Sequence, residues 1–294
     1  MRTVSFIVNP VSGGKDKKGI LAAIGRYIDL SQCRYDVRQT TCAGEAETLA
    51  RDSKADIVVA VGGDGTVSEV AKGLIGTQKA LGIIPCGSGD GLALHLGISR
   101  EPARAVKVIN EACIQKIDVA HIDGKPFFVT AGVGLDALVS WDFASSKKRG
   151  LGTYIQTALE SWIWEKPEQY LVECGDKSWS GKAVFVTVGN ANQWGNEAKI
   201  TPGASLTDGL LDVTIVEPFE AIEIPDMAAR LMTGRMETYK RVHTYRGTQV
   251  HIRRMAPGPA HKDGDPFQAG KDLYLDVEPA ALNVIVPRNK LGRV

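Results

Sequence analysis

The sequence has almost no surplus of charge of either sign: 35 Lys and Arg stand against 34 Asp and Glu in 294 residues, a net +1. That excludes a global field able to gather nucleic acid or hold an anionic surface, so any such attraction has to be local. Paired-cysteine signatures are missing as well. Cys33, Cys42, Cys86, Cys113 and Cys174 are scattered, with no Cys-x-x-Cys. This argues against a disulfide framework or a zinc site, and for reduced thiols in a cytosol-like compartment. His95, His121, His243, His251 and His261 show no metal-ligand spacing with them and read as surface or structural residues. No stretch approaches the roughly 18 continuous apolar residues of a membrane span. The early run Val4-Ser5-Phe6-Ile7-Val8 is too short for a signal peptide and reads as a first strand. Internal repeats and low-complexity tracts are absent too.

What is present is ordinary globular composition, 44% hydrophobic and 23% charged, in a chain long enough for one large domain or two ordinary ones. Two rhythms divide it. Residues 1–116 alternate short β-branched runs with helical patterns. Ile57-Val58-Val59-Ala60-Val61 is apolar on both faces, as a buried parallel strand requires. Val67, Val70, Ala71 and Leu74 follow at i, i+3, i+4, i+7. Ile20, Ile24 and Ile28 form another helical face, and helical patterns fill 90–96 and 101–112. Such alternation predicts a parallel sheet covered by helices. From 117 to 280 strands dominate, at 117–122, 127–131, 170–174, 183–188, 211–216, 249–253 and 273–277. That density predicts an antiparallel sandwich or barrel. One helix interrupts them, with Ile155, Ala158, Leu159, Trp162 and Ile163 at helical spacing. The tail, 281–294, opens with an apolar strand able to return to the first domain.

Gly62-Gly63-Asp64-Gly65-Thr66 follows the buried strand and precedes the helix at 67. Glycines there let backbone N–H groups approach an anion, and the helix N-terminus adds a favourable dipole. A bare phosphate would repel Asp64, so its place implies a bridging Mg²⁺ or a proton-accepting role. A tight turn with a capping Asp is the plainer alternative. Two further polar glycine loops occupy equivalent places: Asn9-Pro10-Val11-Ser12-Gly13-Gly14-Lys15 after the first strand, and Pro85-Cys86-Gly87-Ser88-Gly89-Asp90-Gly91 after the fourth. Three such loops at strand ends of one parallel sheet define a single ligand edge. Neither common nucleotide motif explains them. Asn9 stands where a P-loop needs Gly, and Asp16 follows Lys15 where it needs Ser or Thr. Gly132-Val133-Gly134-Leu135-Asp136-Ala137 fits a dinucleotide pattern, but it lies in the strand-rich half with no βαβ unit after it. It reads as a turn or packing feature.

These residues resemble the diacylglycerol kinase catalytic-domain family, which includes bacterial lipid kinases and the sphingosine and ceramide kinases. The likeness runs nearly end to end. It takes in Asn9-Pro10, Ser12-Gly13-Gly14-Lys15, Gly62–Thr66 with Glu69 a turn later, and Gly87-Ser88-Gly89 with Leu92-Ala93. It continues through Ile117-Asp118-Val119, Asn190 with Gly195, Leu206-Thr207-Asp208-Gly209-Leu210-Leu211-Asp212, and Lys262-Asp263-Gly264-Asp265. The resemblance implies an N-terminal α/β domain like that of NAD kinases and 6-phosphofructokinases and a C-terminal antiparallel β-sandwich, with ATP and Mg²⁺ in the cleft between them. It implies nucleotide contacts from Asn9, Ser12, Gly13, Gly14 and Lys15, from Thr41, from Gly62, Gly63, Gly65, Thr66 and Glu69, and from Gly87, Ser88, Gly89 and Asp90. It casts Asp64 or Asp265 as the base that takes the lipid hydroxyl's proton. Asp64 and Asp118 would belong to the Mg²⁺ network, and Asp208 resembles the acidic residue of a structural Mg²⁺ site. One departure stands out: the family's third-loop Asn is Asp90 here, and the Asp that follows it in diacylglycerol kinases is Gly91.

The activity so implied is ATP- and Mg²⁺-dependent phosphorylation of a hydroxyl on diacylglycerol or a sphingoid base. The third loop leans toward the sphingoid base, the overall length toward a bacterial diacylglycerol kinase. The protein is then expected in the cytoplasm, visiting the inner membrane surface. Its partner would be a lipid and not a nucleic acid, with a homodimer left open. Trp141, Trp162, Trp164 and Lys147-Lys148-Arg149 bracket the helix of the strand-rich half. They suit an entry gate on anionic lipid, or else a core-facing helix beside a solvated basic loop. Asp136 would meet a substrate hydroxyl or amine, or cap a helix. Two rivals stand beside this reading, the first sharing the Gly62–Thr66 loop. An NAD kinase-like enzyme expects an Asn-Glu pair and lacks the Leu206–Asp212 element; a nucleotide-binding regulator without catalysis is permitted by the departure at Asp90 and Gly91.

Overall fold

The structure is a computed structural model, and it describes residues 1–12, 17–145 and 167–294. The first strands form where the apolar runs lie. β1 (Arg2–Val8), α1 (Lys17–Tyr27), β2 (Cys33–Gln39), α2 (Glu45–Asp52), β3 (Ile57–Gly62), α3 (Asp64–Lys72) and β4 (Ala80–Pro85) alternate along the chain. α4 (Gly91–His95), α5 (Pro102–Glu111) and β5 (Cys113–Ile122) follow. The strands run parallel in the order β2-β1-β3-β4. β3 lies inside the sheet with every residue buried, which is why its sequence is apolar without alternation. Each Val or Ile side chain buried this way contributes about 1.5–3 kcal/mol. α1 turns Ile20 and Ile24 inward and packs against α5, whose Ala105, Val106 and Ile109 are buried. α2 packs against α3.

The remaining helices and strands are β6 (Lys125–Phe127), β7 (Thr130–Gly134), α6 (Leu135–Ser145), β8 (Glu168–Cys174), β9 (Lys177–Ala183), β10 (Phe185–Gly189) and β11 (Leu211–Val216). Then come α7 (Ile224–Thr233), β12 (Val242–Gly247), β13 (Gln249–Arg254), β14 (Gly258–Lys262), β15 (Asp265–Ala269) and β16 (Asp272–Val286). The chain divides into two compact units, Met1–Val119 with Pro279–Val294, and Ala120–Glu278. In the first, the end of β16 pairs parallel with β4, Asn283 opposite Ala80 and Val284 opposite Leu81. The second is built from antiparallel pairs. One sheet has the order β12-β11-β10-β7-β14-β15; in the other, β13 lies between β16 and β8, with β9 beyond. Val133, Val186, Val213 and Ile215 of the first sheet meet Tyr170, Val172, Val250, Ile252 and Leu273 of the second in one core, as the inner faces of a sandwich do.

Several elements differ from expectation. Where one helix was expected to interrupt the strands, α6 and α7 do so among the described residues; the expected helix at 155–163 lies outside them. The Gly132–Ala137 segment is no simple turn, because β7 passes directly into α6, with Gly134 at φ 84. The expected strand at 127–131 divides into β6 and β7, and β9, β12, β14 and β15 are additional. The expected strands at 273–277 and from 281 are one continuous β16. Among the described residues, no helix is long and apolar enough to cross a membrane.

Candidate active site

The turns after β3 and β4 are joined to each other. Cys86 N–H donates to the Gly62 carbonyl at 2.9 Å, continuing the strand pairing into the loops. A Cβ on Gly87 would sit 2.7 Å from the Gly63 Cα, so only glycine allows the two backbones this close. Asp64, the first residue of α3, closes the junction: its Oδ2 accepts from Asp90 N–H at 2.8 Å and its Oδ1 from Gly91 N–H at 2.7 Å. Asp90 is buried, in the left-handed region at φ 51. Its Oδ1 accepts from Gly87 N–H at 2.8 Å and its Oδ2 from Arg100 Nε at 2.9 Å. The carboxylate at the departure position is therefore neutralised by a guanidinium from the same unit. Thr66 Oγ1 is buried and has no hydrogen-bond partner among the described residues, an uncompensated polar atom inside the Gly62–Thr66 turn.

The first loop reaches the same edge. Asn9 N–H donates to Val61 O at 3.2 Å, placing Asn9 at the end of β3. Its Oδ1 accepts from Val11 N–H, and its carbonyl from the Ser12 hydroxyl. Lys17 Nζ lies 2.7 Å from Cys86 Sγ, tying the start of α1 to the third loop. Gly13, Gly14 and Lys15 lie outside the described residues. Thr41 donates its hydroxyl to Glu45 Oε2 at 2.8 Å. Glu69 accepts from Gly44 N–H and Ala46 N–H and so satisfies the bare N-terminus of α2, whose cap position is Gly44 without a side-chain bond. Asp118, buried, accepts from Ala280 N–H at 2.8 Å, which fixes the point where the tail re-enters the first unit.

Four of the expected residues belong to the second unit. Asp265 is exposed at the start of β15, after a hairpin in which Asp263 accepts from the N–H groups of Phe128 and Val129. Asp136 is buried; its Oδ2 takes the Thr187 hydroxyl and its Oδ1 lies 2.8 Å from Nε2 of the buried His261. Trp141 on α6 is partly exposed. Trp162, Trp164 and Lys147–Arg149 lie outside the described residues. Asp208 faces Arg246, which also donates Nε to Asp212 Oδ2 at 3.1 Å. Desolvation pushes the Asp212 carboxyl up to about 6, against the lowering influence of Arg246 and with Asp208 adding to the rise. Arg100, Arg246 and His261 were not singled out from the sequence. For Arg100, ten residues beyond Asp90, no local spacing gave a signal.

Residues 3–122 match the diacylglycerol kinase catalytic domain, and residues 129–286 the YegS C-terminal NAD kinase beta sandwich-like domain. The chain is 32% identical over 276 residues to a Pseudomonas putida protein named "Probable lipid kinase YegS-like", covering 91% of this chain and 90% of that one. It belongs to the diacylglycerol kinase family of lipid kinases. A Bacillus subtilis diacylglycerol kinase is 29% identical over 242 residues, 80% of each chain. A solved diacylglycerol kinase from Bacillus anthracis has the same fold, with a TM-score of 0.78 over 98% of both chains at 20% identity. The kinase family implies ATP, and the joined turns fit it: glycines admit close approach, and the Thr66 hydroxyl awaits a partner. Mg²⁺ is commonly held by one or two carboxylates together with phosphates, and Asp64 is a carboxylate at the junction of the two glycine turns, so its chemistry fits that ion. Asp208 does not fit one, because Arg246 already supplies a cation there.

Proposed function

We propose that this lipid kinase phosphorylates a hydroxyl of a diacylglycerol-like lipid with Mg²⁺-ATP, a sphingoid base being the alternative acceptor. The observation that carries the reading is the fusion of the β3 and β4 turns through Asp64 into one glycine-lined edge. Bound there, Mg²⁺-ATP supplies the phosphoryl group, which passes to the lipid oxygen as ADP leaves. Phosphoryl transfer asks the protein mainly for positioning and charge neutralisation. In this reading Thr66 and the loop amides orient the phosphates, and Asp64 holds the metal. Asp265, exposed and outside the Asp64 network, is the candidate to accept the hydroxyl proton. The 29% identity to a named diacylglycerol kinase supports that acceptor. A partly exposed tryptophan on α6 supports contact with the lipid at the cytoplasmic membrane surface.

The test is turnover of labelled ATP against diacylglycerol, sphingosine, ceramide and phosphatidylglycerol in mixed micelles. Diacylglycerol is expected to be the best acceptor. Asp64→Asn should lower kcat by roughly 10²-fold or more, and Asp265→Asn by a similar factor if it is the base. Full activity in both variants, or no lipid accepted at all, rejects the proposal.

A further inference from the structure

The third glycine loop is gripped from behind by one arginine. Arg100, after α4, donates Nε to Asp90 Oδ2 at 2.9 Å, and its NH2 group donates to the carbonyls of Ser88 at 3.1 Å and Gly89 at 2.8 Å. Its side chain is 34% exposed, whereas the Asp90 side chain is fully buried at 0%. A buried carboxylate without a charged partner is costly, so the two side chains act as a unit.

The grip has a directional consequence. A trans peptide plane points its N–H opposite to its C=O. With the carbonyls of Ser88 and Gly89 both held by Arg100, the N–H groups of Gly89 and Asp90 face the other way. The Asp90 N–H shows where that is, since it reaches Asp64 Oδ2 at 2.8 Å. The Gly89 N–H points to the same side and has no protein partner among the described residues. Of the other loop donors, Gly87 N–H is committed to Asp90 and Gly91 N–H to Asp64, whereas Ser88 N–H, like that of Gly89, meets no protein acceptor among the described residues.

We infer that Arg100 is a positioning residue for the nucleotide, setting the Gly89 N–H as an amide donor to a phosphate oxygen on the Asp64 side of the loop. This rests on the proposed use of ATP, and the arginine acts through the backbone without touching the reacting atoms.

Calorimetric binding of Mg²⁺-ATP, alongside steady-state kinetics with diacylglycerol micelles, tests it. Losing a charge-assisted clamp of this kind is expected to raise the ATP Kd and KM of Arg100→Ala about tenfold, with kcat changed far less. Arg100→Lys, which neutralises Asp90 but cannot span both carbonyls, should fall between wild type and Arg100→Ala. Asp90→Asn combined with Arg100→Gln removes the buried charge and its partner together and should recover most of the ATP affinity. A purely structural role would instead lower the melting temperature and the active fraction while leaving KM unmoved, and that result overturns the inference. If wild type binds ATP but phosphorylates no lipid, the proposed substrate fails while the Kd series still decides Arg100. If wild type binds no ATP, both fail.

Discussion

Asp212 shows what burial beside a single shared arginine does to a carboxyl group. Its side chain is 11% exposed, Arg246 lies 3.1 Å away, and Arg246 also serves Asp208. Desolvation dominates, raising the group from 3.8 to about 6. The folded protein therefore binds this proton more tightly than the unfolded chain. The group favours folding most below pH 3.8, and that contribution falls as pH rises through 6, by on the order of 3 kcal/mol in all. In urea titrations, the stability of wild type relative to Asp212→Asn should therefore rise between pH 7 and pH 5. A difference that stays flat across this range would mean that Asp212 titrates normally. At the same scale, the glycine turns that the structure joins were legible in sequence because their spacing is local. Asp64 was recognisable from its neighbours. Arg100 was not, because a guanidinium ten residues from Asp90 acquires meaning only when α4 folds the chain back. His261 read as a surface or structural residue; burial against Asp136 joins positions 125 apart, which no spacing rule reaches.

Elements were legible to the degree that their burial was one-sided or complete. β3 announced itself through an unbroken apolar run, and α3 through its i, i+3, i+4, i+7 pattern. β9 and β12 were missed because their residues are mostly polar or half-exposed, leaving no apolar run to find. α6 was missed for the opposite reason, since Leu135–Trp141 is apolar on nearly every side and shows no helical stripe. Contacts between elements escape periodicity altogether, and Glu69 is the case in point. Expected as a nucleotide contact, it caps α2 from α3, accepting from Gly44 and Ala46 N–H groups. Glu69→Ala should lose both bonds and the favourable charge at a helix N-terminus, costing about 1–3 kcal/mol. Urea midpoints check the stability and KM for ATP checks the alternative. A variant of unchanged stability with a raised KM would return Glu69 to the nucleotide.

At the scale of the whole molecule, the chain's end matters as much as its beginning. The first unit is not a contiguous segment: Pro279–Val294 belongs to it, and β16 enters its sheet beside β4. Leu282, Val284, Ile285 and Val286 are each no more than 1% exposed. Ala280, at φ 54, is in a backbone region unfavourable for a residue with a Cβ, and its N–H is held by Asp118. The long strand was read from sequence as two because Glu278-Pro279-Ala280 interrupts its apolar pattern. Yet the catalytic-domain match ends at residue 122, which on its face marks an independent domain. The packing argues otherwise. A chain ending at 122 would expose the apolar faces that this strand covers and the pairing groups of β4. Four buried Leu, Val and Ile side chains at about 1.5–3 kcal/mol each exceed much of the 5–15 kcal/mol by which a native domain is stable. Residues 1–122 expressed alone should show no cooperative unfolding transition by circular dichroism. Adding residues 279–294 through a short flexible linker should restore one. A cooperative transition at wild-type stability in the shorter chain would mean that β16 is an accessory to the first unit and not part of its core.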